Sequence, residues 1–283
     1  MHQFAFKDET FDINQSSTYI LTIQAGEEGV VYCIFDTVRN KYIVLTNHPL
    51  EKDLSKEVYF EKIEEILQNN ELFHNKYKSV NFIIINRKTT LLPSALFQQD
   101  QLKTIMDFNT EIDDLDEIHY NHIEYIDAYN IFTVPNRLAN EIVEKFSRVN
   151  FYHQATPLLE NIPKMIASNK KTKVFVNIYR SMFDIAVVRD GAFILYNNFK
   201  YSNENDLAYY ILHVYKQLKL DPLIHELMVS GEMPKQSAYA KNLNTFIENM
   251  IYREPDDNYL YSYTFKKTDT YYFTNLFNLM NCV

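Results

Sequence analysis

Tryptophan is absent from this chain, glycine occurs only four times and cysteine twice. The glycine count excludes the most. Loops that cradle phosphate rely on glycine, so that backbone can approach the ligand and turn through positive φ. With Gly26, Gly29, Gly191 and Gly231 as the whole complement, neither a Gly-x-x-x-x-Gly-Lys loop nor a Gly-x-Gly-x-x-Gly fingerprint is present. Cys33 sits in the apolar run Val30–Phe35 and reads as a buried strand residue, and Cys282 is next to last. No disulfide framework or zinc site follows, which fits a cytoplasmic protein. No apolar run approaches the ~18 residues of a membrane-spanning helix. The first residues carry Lys7, Asp8 and Glu9 where a signal peptide needs an apolar core. A net charge of −9 and a pI near 5.4 argue against a protein that grips nucleic-acid phosphates.

The chain has 283 residues, long enough for two domains, and a 46% hydrophobic content suited to packed cores. Its 22 tyrosines and 20 phenylalanines read as compositional bias rather than one binding surface. Strands are expected at 19–24, 30–36 and 42–45, then a helix over 53–69 with Tyr59, Ile63, Ile66 and Leu67 on one face, a strand at 80–85 and a helix at 97–108. The second half repeats that order: strands at 174–178, 184–189 and 193–197, a helix at 204–219, a strand at 226–229 and a helix at 237–251. Asp190-Gly191 marks a tight hairpin, and Asn203 with Asp206 suits a helix N-terminus. Between the halves, residues 119–134 read as one or two strands, 136–147 as a helix and 150–155 as a strand. A helical stretch then runs to about 168, kinked or begun at Pro163. The expected domains are 1–169 and 170–283, with the apolar segment from Tyr271 to Met280 packing back.

Other groupings favour structural readings. His119 and His122 at i, i+3 on a strand face opposite ways and are expected to be surface residues. The acidic run Asp113–Glu117 lacks the punctuation of a calcium loop and reads as a solvated loop. Met228 breaks a nucleophile elbow before Ser230-Gly231. Glu57, Glu61, Glu64 and Glu65 form the polar face of a helix, and no neighbouring cation activates Cys33.

The strand-strand-strand-helix-strand-helix order, occurring twice, resembles the actin-like ATPase superfamily of actin, the heat-shock 70 chaperones and the sugar kinases. Within it the likeness is to bacterial cell-division and pilus-assembly actin homologues, and the whole chain is similar to an uncharacterised bacterial family of unknown function. Ile131–Phe151 resembles the strand-helix-strand that closes their first domain. Val176-Asn177-Ile178-Tyr179 with Asp190-Gly191 resembles their second phosphate hairpin, and Leu227–Gly231 their adenosine motif. The resemblance implies an α/β fold, a duplicated ribonuclease H-like pair of domains, each with a mixed five-stranded sheet and flanking helices. It also implies a nucleotide site at Gln24, Gly26, Asn177, Tyr179, Ser181, Ser230 and Gly231.

At those positions the chain departs from the superfamily. Gln24-Ala25-Gly26 and Asn177-Ile178-Tyr179 stand where both hairpins begin Asp-x-Gly, Glu232 stands where the adenosine motif has a second glycine, and Asn86 ends the fourth strand. Mg²⁺ is held through carboxylates and waters, and phosphoryl transfer needs charge neutralisation. The expectation is therefore a non-catalytic scaffold or adaptor with a protein partner, no metal and no cofactor. The alternative is a regulator that keeps ATP in the inter-domain cleft without efficient hydrolysis. A small-molecule kinase would need a carboxylate from another position.

Overall fold

The structure, a computed structural model, describes residues 2–146, 148–167 and 171–282. The chain forms two compact units, Met1–Pro157 with Asp256–Asp269, and Leu158–Pro255 with Thr270–Val283. The boundary placed at 169–170 by the sequence falls outside the described residues.

Among the described residues nine strands arise before residue 154: β1 (Phe4–Lys7), β2 (Tyr19–Gly26), β3 (Gly29–Asp36), β4 (Lys41–Pro49), β5 (Ser79–Ile84), β6 (Thr89–Pro93), β7 (Asp116–Ile123), β8 (Ala128–Pro135) and β9 (Val149–His153). The main sheet runs β1-β4-β3-β2-β5-β9. Its β2–β3–β4 meander is antiparallel, and β5 and β9 run parallel to β2 and to each other. Every residue of β2 and β3 is buried, the mark of a sheet covered on both faces. Leu21, Ile23 and Ala25 share a core with Phe60, Ile63 and Leu67 of α1 (Lys56–Asn69), a helix capped by the Ser55 side chain. A second, three-stranded sheet β6-β8-β7 packs Ile131 against Leu102 and Met106 of α2 (Leu102–Asn109). Helix α3 (Asn136–Lys145) returns to the main core through Leu138, Ala139 and Ile142.

Helix α4 (Ala155–Glu160) runs across the break at Pro157, and α5 (Ile162–Ile166) has Pro163 in its first turn, where a missing amide is harmless. The second unit builds β10 (Lys173–Ile178), β11 (Met182–Arg189), β12 (Ala192–Lys200), α6 (Glu204–Gln217), β13 (Glu226–Gly231), α7 (Ala238–Asn244) and β14 (Met250–Tyr252). The sheet order is β12-β11-β10-β13-β14. It matches β4-β3-β2-β5-β9 strand for strand and direction for direction, so the two halves repeat in topology. Asp190 (φ 52°) and Gly191 (φ 84°) make the two-residue turn between β11 and β12. Val174, Val176 and Ile178 meet Leu207, Ile211, Ala240 and Leu243 on one face. The C-terminal segment, with α8 (Thr274–Asn278), lies against β13. Finally β15 (Leu260–Tyr261) pairs in parallel with Lys41–Tyr42 of β4, and Tyr259 and Tyr261 pack on the Tyr42 ring.

Several local expectations change. The 97–108 helix is one short 3-10 turn, Gln99–Gln101, followed by α2. The 237–251 helix ends at Asn244, because Met250–Tyr252 joins the sheet beside β13. Residues 119–134, read as one or two strands, are two, β7 and β8, with a 3-10 turn at Glu124–Ile126 and Asp127 at φ 46° between them. In the acidic run, Asp116 and Glu117 belong to β7 rather than to a loop. Lys88 bridges Asp113 at 3.2 Å and Asp116 at 2.6 Å. His119 contacts Glu117 and His122 contacts Ser94 and Asp127, from the strand. Among the described residues no group of three or more His, Cys, Asp or Glu could hold a metal ion, and no helix is long and apolar enough to cross a membrane.

Candidate functional site

The repeat places Gln24 and Asn177 at equivalent points. Each is the penultimate residue in the run of pairs its strand makes with the neighbouring parallel strand, Gln24 opposite Ile83 and Asn177 opposite Ser230. These are the strand ends at which an open α/β sheet usually receives a ligand.

In the first unit, β2 and β3 are joined by a two-residue turn, Glu27-Glu28, between the paired Gly26 and Gly29. Both glycines are required by packing. A Cβ on Gly26 would lie 2.8 Å from that of Ile85, and one on Gly29, at φ +128°, would lie 2.1 Å from the His48 carbonyl oxygen. The hairpin tip thus presents two carboxylates where a phosphate would need donors. Beyond β5, the Asn86 side chain is fully engaged: Nδ2 donates to the Thr133 carbonyl at 2.9 Å and Oδ1 accepts from the Lys88 amide at 2.8 Å. Its carbonyl accepts from Gln154 Nε2 at 2.7 Å and from His153 Nε2 at 3.1 Å. His153 Nδ1 accepts from the Ala155 amide at 3.2 Å, so the ring is the neutral Nε2–H tautomer. Burial holds its pKa down to about 3.

In the second unit, Asn177, Tyr179, Ser181, Ser230 and Gly231 gather at one end of the sheet. Ser230 Oγ donates to Asn177 Oδ1 at 2.7 Å, and both residues are buried. The loop from β10 to β11 is only Tyr179-Arg180-Ser181. The Tyr179 amide donates to the Met182 carbonyl at 2.9 Å, and the Tyr201 amide donates to the Ser181 carbonyl at 3.0 Å. The Tyr179 ring is 5% exposed, with Asn275 Nδ2 donating to its hydroxyl at 3.4 Å. After β13 the Glu232 amide donates to Ile178 at 2.7 Å and the Met233 amide to Gly231 at 2.8 Å. Gly231 takes φ +86°, and a Cβ there would sit 2.1 Å from the Ile178 oxygen. Close strand packing therefore explains this glycine without a ligand.

These residues do not fit a Mg²⁺–triphosphate. Phosphate hairpins work through outward-pointing amides and a metal-holding carboxylate. Here the Tyr179, Glu232 and Met233 amides are engaged internally, and Gln24 and Asn177 are neutral. A carboxylate that sequence reading passed over, Asp184, lies one strand away. It is the register partner of Asn177 on β11, wholly buried, and accepts from the Tyr196 hydroxyl at 2.8 Å. The signal for it was a lone acid inside the apolar run 182–188. A cleft of about 650 Å³ on the first unit, lined by Lys7, His48, Lys62, Asn70 and Glu71 among others, includes none of the residues that the resemblance assigns to a nucleotide site.

The architecture has close relatives among solved structures. A Bacteroides thetaiotaomicron protein with an actin-like ATPase fold and unknown function superposes with a TM-score of 0.76 at 22% identity, over 86% of this chain and 93% of its own. A chain of the PilM–PilN type IV pilus biogenesis complex superposes with a TM-score of 0.62 at 9% identity, over 93% and 98%. At these identities the likeness establishes the fold: this is an actin-like, duplicated α/β protein. No curated protein matches by sequence. Residues 8–250 match the family described as "Protein of unknown function (DUF3822)".

Proposed function

The chain belongs to the DUF3822 family, and for this member we propose a non-catalytic role, a scaffold or adaptor that acts through protein–protein contacts on an actin-like frame. The observation that carries this reading is the state of the strand ends. Each position where the superfamily puts a metal-holding carboxylate has an amide, and Asn86, Asn177, Tyr179 and Gly231 are engaged in packing or hydrogen bonds within their own unit. A frame kept without its phosphate chemistry is suited to presenting surface. A chain of the same fold belongs to a two-protein assembly, the PilM–PilN complex, which supports a protein partner here.

The test pairs two measurements on the purified full chain. The first is thermal unfolding with millimolar Mg-ATP or Mg-ADP, together with phosphate release. Neither a shift nor turnover is expected. A ligand at ~100 times its dissociation constant would stabilise by ~2.7 kcal/mol, so a bound nucleotide is readily seen. The second is cross-linking in the native cell at endogenous level, followed by reconstitution of the recovered complex at fixed stoichiometry. A nucleotide-induced shift without turnover would replace the scaffold with the ATP-retaining regulator. Turnover would end both readings.

A further inference from the structure

The two halves repeat strand for strand, but their outer edges end differently. In the first unit β4 carries further strands on its outer side: β1 pairs antiparallel with Val44–Asn47, and β15 pairs with Lys41–Tyr42. The counterpart of β4 is β12, and among the described residues its one strand partner is β11. An open edge is normally blunted by charge, proline or shortness. β12 is nine residues long, and from Ala192 to Phe199 it holds neither proline nor charge, with Lys200 at its end. The pairs Val187–Leu195 and Val188–Phe193 leave Ile194 as the extra residue of a bulge, which bounds the regular edge at Leu195. The Tyr201 amide turns inward to Ser181, and by alternation so do those of Phe199, Asn197 and Leu195. The Asn198 amide turns outward and donates to the neighbouring Asn197 Oδ1 at 2.8 Å. The outward main-chain groups of the regular edge therefore belong to Tyr196 and Asn198.

Leu195 and Phe199 lie partly buried against the core beneath α6, with Asn197 exposed between them. The Phe199 ring stacks on Tyr210 of α6 at 5.0 Å, and Tyr210 meets Tyr209 edge-on at 5.3 Å. Tyr209, 63% exposed, stacks on His213. Edge strand and helix flank together make one incompletely covered strip.

We propose that this strip is a homodimer surface, on which β12 of a second copy pairs antiparallel about a two-fold axis at Asn197. Two constraints select the occupant and the register. Outward main-chain groups must oppose outward groups, and an axis at Asn197 sets Tyr196 against Asn198 of the second copy and the reverse. The same axis sets Leu195 against Phe199 and Asn197 against Asn197, so the row facing α6 reads apolar, amide, apolar on both strands and matches itself. An axis at Tyr196 would set Leu195 against the Asn197 amide. A two-fold interface requires such self-complementarity. The paired stretch holds no charge, so copies of a chain with net charge −9 meet no like-charge contact there. The axis stands across the sheet, so α6 of the second copy comes to the same side and covers Tyr209 and His213. The β1–β4 pair is the precedent for an added strand at this position. The surface goes beyond the scaffold reading and stands without it.

The test is the oligomeric state of the purified full chain by sedimentation equilibrium at micromolar concentrations. A mass of twice 33.7 kDa is expected. Asn197→Asp and Asn197→Lys, both at an exposed side chain, put like charges face to face across the axis. Each should raise the dimer dissociation constant at least ~5-fold at low salt. Mixed in equal amounts, the two variants should associate with each other at least as tightly as wild type does with itself. Asn197 and its counterpart form a non-hydrogen-bonded pair, with Cα atoms ~4.5 Å apart, inside the range a disulfide spans. Asn197→Cys in a Cys282→Ser background should therefore give a covalent dimer on mild oxidation. Asp100→Cys in the same background, exposed on the first unit, should not. The disulfide reads the register without relying on either charge variant. A monomeric wild type throughout the micromolar range, a dimer indifferent to both charge variants, or no preferential cross-linking at position 197 would overturn the proposal.

Discussion

Restoring the superfamily's carboxylate by Asn177→Asp should damage this protein rather than revive it. Asn177 and Asp184 are register partners on adjacent antiparallel strands and share a buried face. Directly opposite Cβ atoms in such a pair lie ~4.5–5.5 Å apart. Two unit charges ~5 Å apart at an effective dielectric constant of ~20 repel by about 3 kcal/mol. The loss at pH 7 is limited by the alternative of protonating one acid, about 4 kcal/mol for an ordinary carboxyl. The substitution changes almost no volume, and Ser230 Oγ can still donate to the new carboxylate, but burial of the new charge acts in the same direction as the repulsion, so the deficit lies between about 3 and about 4 kcal/mol. A deficit of about 3 kcal/mol corresponds to roughly 6 to 12 °C in melting temperature. The repelled carboxyl has a folded pKa above its unfolded value of ~3.9. The deficit is therefore absent below about pH 4 and grows as pH rises towards 7. Calorimetric unfolding of wild type and variant between pH 4 and pH 7.5 checks both size and sign. A variant as stable as wild type at pH 7, or a deficit independent of pH, would refute the placement of Asp184 against Asn177. Acquisition of Mg²⁺-dependent nucleotide binding would refute the claim that the phosphate end is closed.

Other substitutions probe neighbouring parts of the same reasoning. Tyr179→Ala removes a buried ring and should destabilise by ~3–5 kcal/mol in denaturant unfolding, without creating a response to Mg-ATP. Gly231→Ala puts a methyl group 2.1 Å from the Ile178 oxygen at a φ of +86°, and should lose more than ~2 kcal/mol, read as a lower unfolding midpoint. His153 stays neutral in the folded protein down to about pH 3, while the unfolded chain gains its proton near pH 6.5. Wild type should therefore lose ~1.4 kcal/mol per pH unit from this residue as pH falls from about 6 to 4, and His153→Gln should show a shallower slope over that window.

Much of the architecture was legible in the amino-acid order. The apolar runs at 19–24, 30–36, 80–85 and 174–178 are strands because sheets covered on both faces need unbroken burial. The Asp190-Gly191 turn declares its hairpin through the positive φ that these two residues tolerate. The duplication was visible too, since element order survives when identity does not. The misread end of the 237–251 helix has a plain cause. Met250-Ile251-Tyr252 is too short to show a period, and only the free edge of β13 makes it a strand. Thr89–Pro93 went unread for the same reason, since its pairing with β8 is what makes it a strand.

The candidate site divides in the same way. Composition and spacing alone established that Gln24, Asn177 and Asn86 are amides and that glycine is too scarce for a phosphate loop, because residue identity is a local fact. Four things needed the fold: that Asn86 is locked by Thr133, Lys88, His153 and Gln154, that Asp184 stands opposite Asn177, that residues 256–269 add a strand to the first sheet, and that among the described residues β12 has a strand on one side only. These depend on pairing register and on contacts between segments tens to hundreds of residues apart. Such contacts are set by which surfaces exclude water together, and no local pattern along the chain records that.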